Sequence, residues 1–211
     1  MKRIFPLLII ALALISCKKG EEISFDENDL LGYWACESMT SGGTVLEYPP
    51  LSFLCTSYYG FHMVKEAVVY EYTWSLDGNK LTLSGDSKPH ETVINSLDSK
   101  HMVWTPGDEN PCRFTNMTRI LPGTWKCVMP EYATYTIQID PSGISDWLQE
   151  GTTSHMSLAW KMSINIEGRI VISFNKTSGS EWNDYYTVNI FNDDRLETLN
   201  KNNAPVYFTR L

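Results

Sequence analysis

Five cysteines and four histidines are the side chains best suited to chemistry, and their spacing limits what they can do. Cys36, Cys55, Cys112 and Cys127 form an even set, which in an exported chain permits two disulfides in any of three connectivities. The alternative is four buried thiols that pack as small hydrophobes. No pair has the C-x-x-C spacing of a redox or zinc centre. His62, His90, His101 and His155 all stand apart from one another and from every cysteine, so no metal site is expected. The acidic runs Asp26-Glu27-Asn28-Asp29 and Asp108-Glu109-Asn110 do not fit a calcium loop and read as solvated loops. There is no G-x-S-x-G turn for a nucleophile. Glu71, Asp146 and Glu150 are carboxylates with nothing in the sequence to pair them across a cleft. The expectation is a protein without catalytic residues, metal or cofactor, and therefore not an enzyme.

The fifth cysteine, Cys17, has a different setting. Met1-Lys2-Arg3 is short and positive, Ile4 to Ile15 is apolar apart from Pro6, and Ser16 precedes Cys17. That is the order of a secretory signal peptide over residues 1–16. The apolar run is too short to cross a bilayer, which takes about twenty residues. The ending Leu14-Ile15-Ser16-Cys17 resembles the lipobox of bacterial lipoproteins. The resemblance implies cleavage before Cys17, a diacylglycerol on its thiol and a fatty acid such as palmitate on its amine. A single acyl chain binds a membrane only marginally, at roughly 0.8 kcal/mol per buried methylene, and two or three chains make the attachment stable. Lys18-Lys19-Gly20-Glu21-Glu22 opens a flexible tether over residues 17–28. Lys18, where an inner-membrane retention signal would have Asp, points by resemblance to the outer membrane, on a face the sequence does not specify.

The chain carries a net charge of −8, which becomes −10 once Lys2 and Arg3 leave with the signal. So acidic a chain lacks the clustered Lys and Arg that phosphate binding needs, which argues against a nucleic-acid partner. Seven Trp, eleven Tyr and eight Phe, with Thr, Val and Ile between Asn, Asp, Gly and Ser, make the composition of strands joined by turns.

Those strands come in two copies. Leu30-Leu31-Gly32-Tyr33-Trp34-Ala35-Cys36 returns 91 residues later as Leu121-Pro122-Gly123-Thr124-Trp125-Lys126-Cys127, a shared L-x-G-x-W-x-C. Trp74 matches Trp160, Thr92-Val93 matches Thr187-Val188, and Phe114-Thr115 matches Phe208-Thr209. Two units follow, residues 29–119 and 120–211. Strands are predicted near 32–38, 44–48, 51–56, 59–65, 67–76, 79–84, 91–97, 101–105 and 112–117 in the first. In the second they fall near 123–129, 133–139, 143–149, 154–163, 168–174, 184–191, 195–199 and 205–210. Alternation is clearest from Thr134 to Ile139, and Asp77-Gly78 is a hairpin turn signal. No segment is long enough for a crossover helix. The expected fold is all-β: two tandem antiparallel meanders, each closing into a small barrel that leaves no free edge. Closure makes first and last strands neighbours, which favours Cys36–Cys112 among the disulfide pairings.

An opening G-x-W strand followed by a meander, carried by Gly32, Trp34, Gly123 and Trp125, resembles the lipocalin superfamily. More specifically, it looks like the small lipocalin-like domains common in lipoproteins of Bacteroidota, and the Trp74–Leu83 run supports the likeness. The resemblance implies that Trp34 and Trp125 close the barrel bases. It also implies a small apolar or sugar-like ligand for a non-catalytic binding module. Each unit has half the usual length, and an eight-stranded barrel is either filled by its own side chains or holds one small ligand. Two filled barrels would instead serve as an envelope structural or protein–protein interaction protein. Tyr58-Tyr59, Trp182 and Tyr185-Tyr186 fall near loops, where they can line a binding surface or complete a core.

Overall fold

Period-two alternation broken by Gly, Asn and Asp turns yields seventeen strands among the described residues. The computed structural model describes residues 23–65, 67–85, 88–105, 110–129, 133–176 and 184–211. The signal segment, Cys17 and most of the tether lie outside these residues, as do Asp108, Glu109 and Trp182.

A four-residue helix, α1 (Glu27–Leu30), precedes β1 (Gly32–Ser41). β2 (Thr44–Glu47), β3 (Leu51–Cys55), β4 (Gly60–Lys65), β5 (Val68–Asp77), β6 (Lys80–Ser84), β7 (His90–Leu97), β8 (His101–Thr105) and β9 (Cys112–Asn116) follow as an antiparallel meander. β9 returns to pair with β1 and closes the barrel. The second copy opens with α2 (Met117–Ile120) and β10 (Gly123–Met129). β11 (Ala133–Ile139), β12 (Ile144–Gln149), β13 (His155–Ile164), β14 (Ile170–Lys176), β15 (Asp184–Phe191), β16 (Arg195–Asn200) and β17 (Pro205–Arg210) complete a second closed barrel of eight strands. The two tandem antiparallel barrels expected from the repeat are therefore present, with the Asp77-Gly78 turn joining β5 to β6. The short helices ahead of each G-x-W strand are not marked in the sequence by any periodic run.

One difference between the copies has a covalent cause. β11 runs unbroken along β10, whereas β1 is flanked on that side first by β3 and then by β2. The break is Tyr48-Pro49-Pro50, where two prolines supply no N–H to a ladder. The excursion docks on the second barrel. The Tyr48 ring meets Phe191 edge-on at 5.3 Å, and the Arg169 guanidinium donates to the Tyr48 carbonyl at 3.5 Å. Beyond this contact, His101 Nε2 and Lys100 Nζ approach the Asp193 carboxylate at 3.3 Å and 3.6 Å.

The G-x-W tryptophans occupy matching floors. Trp34 and Trp125 are fully buried, and each indole N–H donates at 2.8 Å to the carbonyl four residues before it, Leu30 or Leu121. The residue opposite each on the closing strand differs: Asn116 faces Trp34 and Arg210 faces Trp125. Arg210 lies over the Trp125 ring at 4.3 Å and donates to the carbonyls of Ile120, Pro122 and Asp193. Asn116 instead donates to the Leu31 carbonyl at 2.9 Å and caps α2 by accepting from Thr118 N at 3.1 Å. It thereby ties the first barrel's floor to the helix that begins the second. Asn116→Ala is expected to cost about 1–3 kcal/mol, because the half-buried Leu31 carbonyl and the helix N-terminus both lose the partner that the fully buried Asn116 side chain supplies. Urea denaturation measures this, and a change below about 0.5 kcal/mol would show the cap to be dispensable.

Candidate ligand-binding site

The two interiors are built differently from matched strands. In the first barrel Phe53 sits centrally. Its ring centre lies 6.0 Å from Trp34, 4.8 Å from Phe61, 5.8 Å from Trp104 and 5.2 Å from Phe114. All five rings are buried, so side chains from opposite walls meet across the barrel axis. The second barrel carries smaller residues at three of these register positions. Ile137 stands opposite Trp125 where Phe53 stands opposite Trp34. Ser145 pairs with Ile139 where Phe61 pairs with Cys55, and Thr198 pairs with Val206 where Trp104 pairs with Cys112.

The second barrel's own rings run around its wall. Tyr135, Trp147, Phe174, Tyr186 and Phe208 form a chain of edge-to-face contacts at 5.6, 4.9, 5.7 and 5.9 Å, from β11 through β12, β14 and β15 to β17. Edge-to-face neighbours hold one another upright on the wall. They leave a cavity of about 450 Å³, within the usual size range of small-molecule sites. Met129, Met156 and Leu158 add apolar wall between the rings. The thioethers are soft and change rotamer readily, which suits a surface that must adjust to a guest.

Polar groups gather at the mouth. Asn175, Asn200, Lys201, Asn202 and Asp184 line it. Asn200 Oδ1 accepts from the backbone of Asn202 and Ala204 at 2.9 Å and 3.0 Å, fixing the β16–β17 turn. Lys201 Nζ and Asp184 Oδ1 pair at 3.3 Å, so the rim presents no uncompensated charge from this couple. Deeper, the Trp147 indole donates to Ser145 Oγ at 3.0 Å and is satisfied. Tyr186 is buried at 6% exposure and lines the cavity. Burial raises its pKa above the ordinary tyrosine value, with Cys127, Asp184 and Tyr135 adding to the effect, so it stays a neutral hydroxyl.

Other chemistry-bearing residues fall elsewhere. Cys36, Cys55, Cys112 and Cys127 are buried free thiols. Cys36 and Cys112 lie on the paired strands β1 and β9, where their thiols donate to the Ser38 and Asn110 carbonyls at 3.4 Å and 3.9 Å and influence one another electrostatically. The proximity of the two thiols lowers the Cys112 pKa and, with burial, raises that of Cys36. His62 pairs with Glu71 at 3.4 Å on the outer surface, His90 meets the Tyr72 ring, and His101 joins the contact to Asp193. His155 begins β13, exposed. Asp146 is exposed, and Glu150 pairs with Lys126 at 3.1 Å. Among the described residues no three His, Cys, Asp or Glu side chains come together as a metal site. Of the loop-side aromatics, Tyr58 and Tyr59 lie exposed on the first barrel, while Tyr185 and Tyr186 both line the cavity.

No family model, curated protein or solved structure matches this chain. The cavity therefore rests on its own geometry. Sequence reasoning reached Tyr185-Tyr186 but missed Tyr135, Trp147, Phe174 and Met129. The available signal was the loss of bulk between repeats, Phe53 to Ile137 and Trp104 to Thr198, which becomes readable only with register.

Proposed function

We propose that this protein is a non-catalytic binding module. Its second barrel takes up one small, mainly apolar molecule, and its first barrel serves as a filled scaffold. The observation that carries the reading is the aromatic-walled cavity of about 450 Å³ in a barrel whose sister interior is crossed by Phe53. Burial of apolar surface in a preformed well supplies the affinity, and the polar mouth orients the guest.

The lipobox-like Leu14-Ile15-Ser16-Cys17 supports an exported chain held to the outer membrane by lipid on Cys17. The lipocalin-like reading of the barrels is consistent with the G-x-W floors. In that setting the module captures its guest within the cell envelope.

The test is native mass spectrometry of the protein purified from its own envelope. A non-covalent mass that leaves on denaturation is expected. In the Leu158→Trp variant, an indole placed on the cavity wall should reduce the occupied fraction at least tenfold while leaving the fold intact by circular dichroism. A natural protein that carries no extra mass and takes up no apolar probe would refute the module.

A further inference from the structure

The lining of the cavity changes character around the barrel. Met129 of β10, Trp147 of β12 and Met156 and Leu158 of β13 make one side apolar, and the Trp147 N–H is already donated to Ser145 Oγ. Every Asn, Asp and Lys of the lining comes from the other side, from β14 to the turn after β16. There Phe174 pairs with Asp184 at the start of β15, and Tyr186 pairs with Asn200 at the end of β16. Lys201 and Asn202 continue from Asn200 into the turn. Strands β14, β15 and β16 are neighbours, so these groups form one polar arc at the mouth. A guest that satisfies both sides is an amphiphile, with its apolar body against the methionines and Trp147 and its polar head on the arc.

The arc carries one charge of each sign. Asp184 and Lys201 pair at 3.3 Å, and both side chains are about half exposed. A head of net charge meets attraction from one member and repulsion from the other at nearly the same distance, so the two largely cancel. It gains little there and gives up part of its hydration to reach the rim of an apolar well. A head built of hydroxyl groups does not meet that cancellation. It can donate to the Asp184 carboxylate, accept from the Lys201 ammonium and do both with the Asn202 carboxamide, which is exposed in the turn. We propose that the second barrel binds an amphiphile with an uncharged, hydroxyl-bearing head, and that the Asp184–Lys201 pair discriminates against heads of net charge. The inference rests on the binding-module reading and specifies its ligand class.

Three amphiphiles with one tail and three heads test this in the full natural protein: octyl glucoside, octyl sulfate and octyltrimethylammonium, each below its micellar concentration and followed by equilibrium dialysis. The glucoside is expected to bind at least about threefold more tightly than either charged probe. The sulfate-to-ammonium affinity ratio reads the pair itself. Asp184→Asn removes the negative member and should raise that ratio by about threefold to tenfold, and Lys201→Gln removes the positive one and should lower it by a similar factor. Lys126→Gln is the control: it changes the net charge as Lys201→Gln does, but Lys126 pairs with Glu150 at 3.1 Å and neither lines the cavity. It should leave the ratio within about twofold. A natural protein that binds either charged probe as tightly as the glucoside would overturn the head selectivity while leaving the cavity reading standing. So would a ratio that ignores the two rim substitutions or follows Lys126→Gln equally. Failure of all three probes to bind would remove both. Should a rim variant lose its near-ultraviolet circular dichroism, the order of the three probes on the natural protein decides.

Discussion

Trp125→Ala is expected to lower the free energy of unfolding by about 3–5 kcal/mol, the usual range for removing a large buried ring from a core that collapses poorly. The ring is fully buried, its N–H holds the Leu121 carbonyl, and the Arg210 guanidinium lies on its face at 4.3 Å. Removing it empties the floor of the second barrel and strips Arg210 of the surface that positions its three bonds to Ile120, Pro122 and Asp193. Those carbonyls belong to the segment between barrels and to the β15–β16 turn, so one substitution loosens both the barrel closure and its connection to the first unit. Urea denaturation followed by tryptophan fluorescence gives the value. A double-mutant cycle with Arg210→Ala should show a coupling of about 1 kcal/mol from the stacked pair. A single-substitution loss below about 1 kcal/mol would mean that Trp125 does not close the barrel.

Gly168→Ala should have a similarly large effect by a different route. Gly168 has φ +86°, and a methyl group there would be driven into the carbonyl oxygens of Pro50 and Val64 on the first barrel. Left-handed backbone costs alanine roughly 1–2 kcal/mol by itself. The clash adds to that because the obstructing atoms are main chain and cannot swing aside as a side chain can. A total of about 2–4 kcal/mol is expected, expressed as separation of the barrels. Thermal unfolding should change from one transition to two, and the radius of gyration by X-ray scattering should rise. Gly151→Ala is the control: it has φ +76° but open space around the added carbon, so it should lose only the conformational part, about 1 kcal/mol. Equal behaviour of the two variants would show that the Tyr48–Pro50 excursion does not hold the barrels together.

Much of the fold is legible in the residues. The L-x-G-x-W-x-C repeat, the alternation through Thr134 to Ile139 and the Asp77-Gly78 turn locate the strands to within about three residues, the largest difference being β1, which runs on to Ser41, because period-two burial and turn chemistry are local properties. The gap between β2 and β3 is legible too, since Pro49-Pro50 must interrupt a ladder. Its role as a dock for Phe191 and Gly168 is not, because the partner lies more than a hundred residues away. Arg210 and Asn116 were missed for the same reason. They are polar residues near strand ends, and only barrel closure sets them opposite Trp125 and Trp34.

The candidate site shows where sequence reading stops. Alternation says that Phe53 and Tyr186 point inward, but not that one ring crosses the axis while the other stands on the wall. That distinction depends on which rings share a register layer, and it decides whether a barrel is filled or open. Likewise the adjacency of Cys36 and Cys112 follows from closure, whereas their oxidation state depends on the redox conditions that the chain meets.

The central claim, a cavity in the second barrel beside a filled first barrel, is tested most directly by carbon-13 labelling of the methionine methyl groups and titration with 2-acetylnaphthalene. Met129 and Met156 line the cavity, while Met39, Met63 and Met102 belong to the first barrel. Saturable shifts at Met129 and Met156, with Met39, Met63 and Met102 unmoved, are the predicted result. Shifts confined to the first-barrel methionines, or none at any concentration the probe allows, would contradict it.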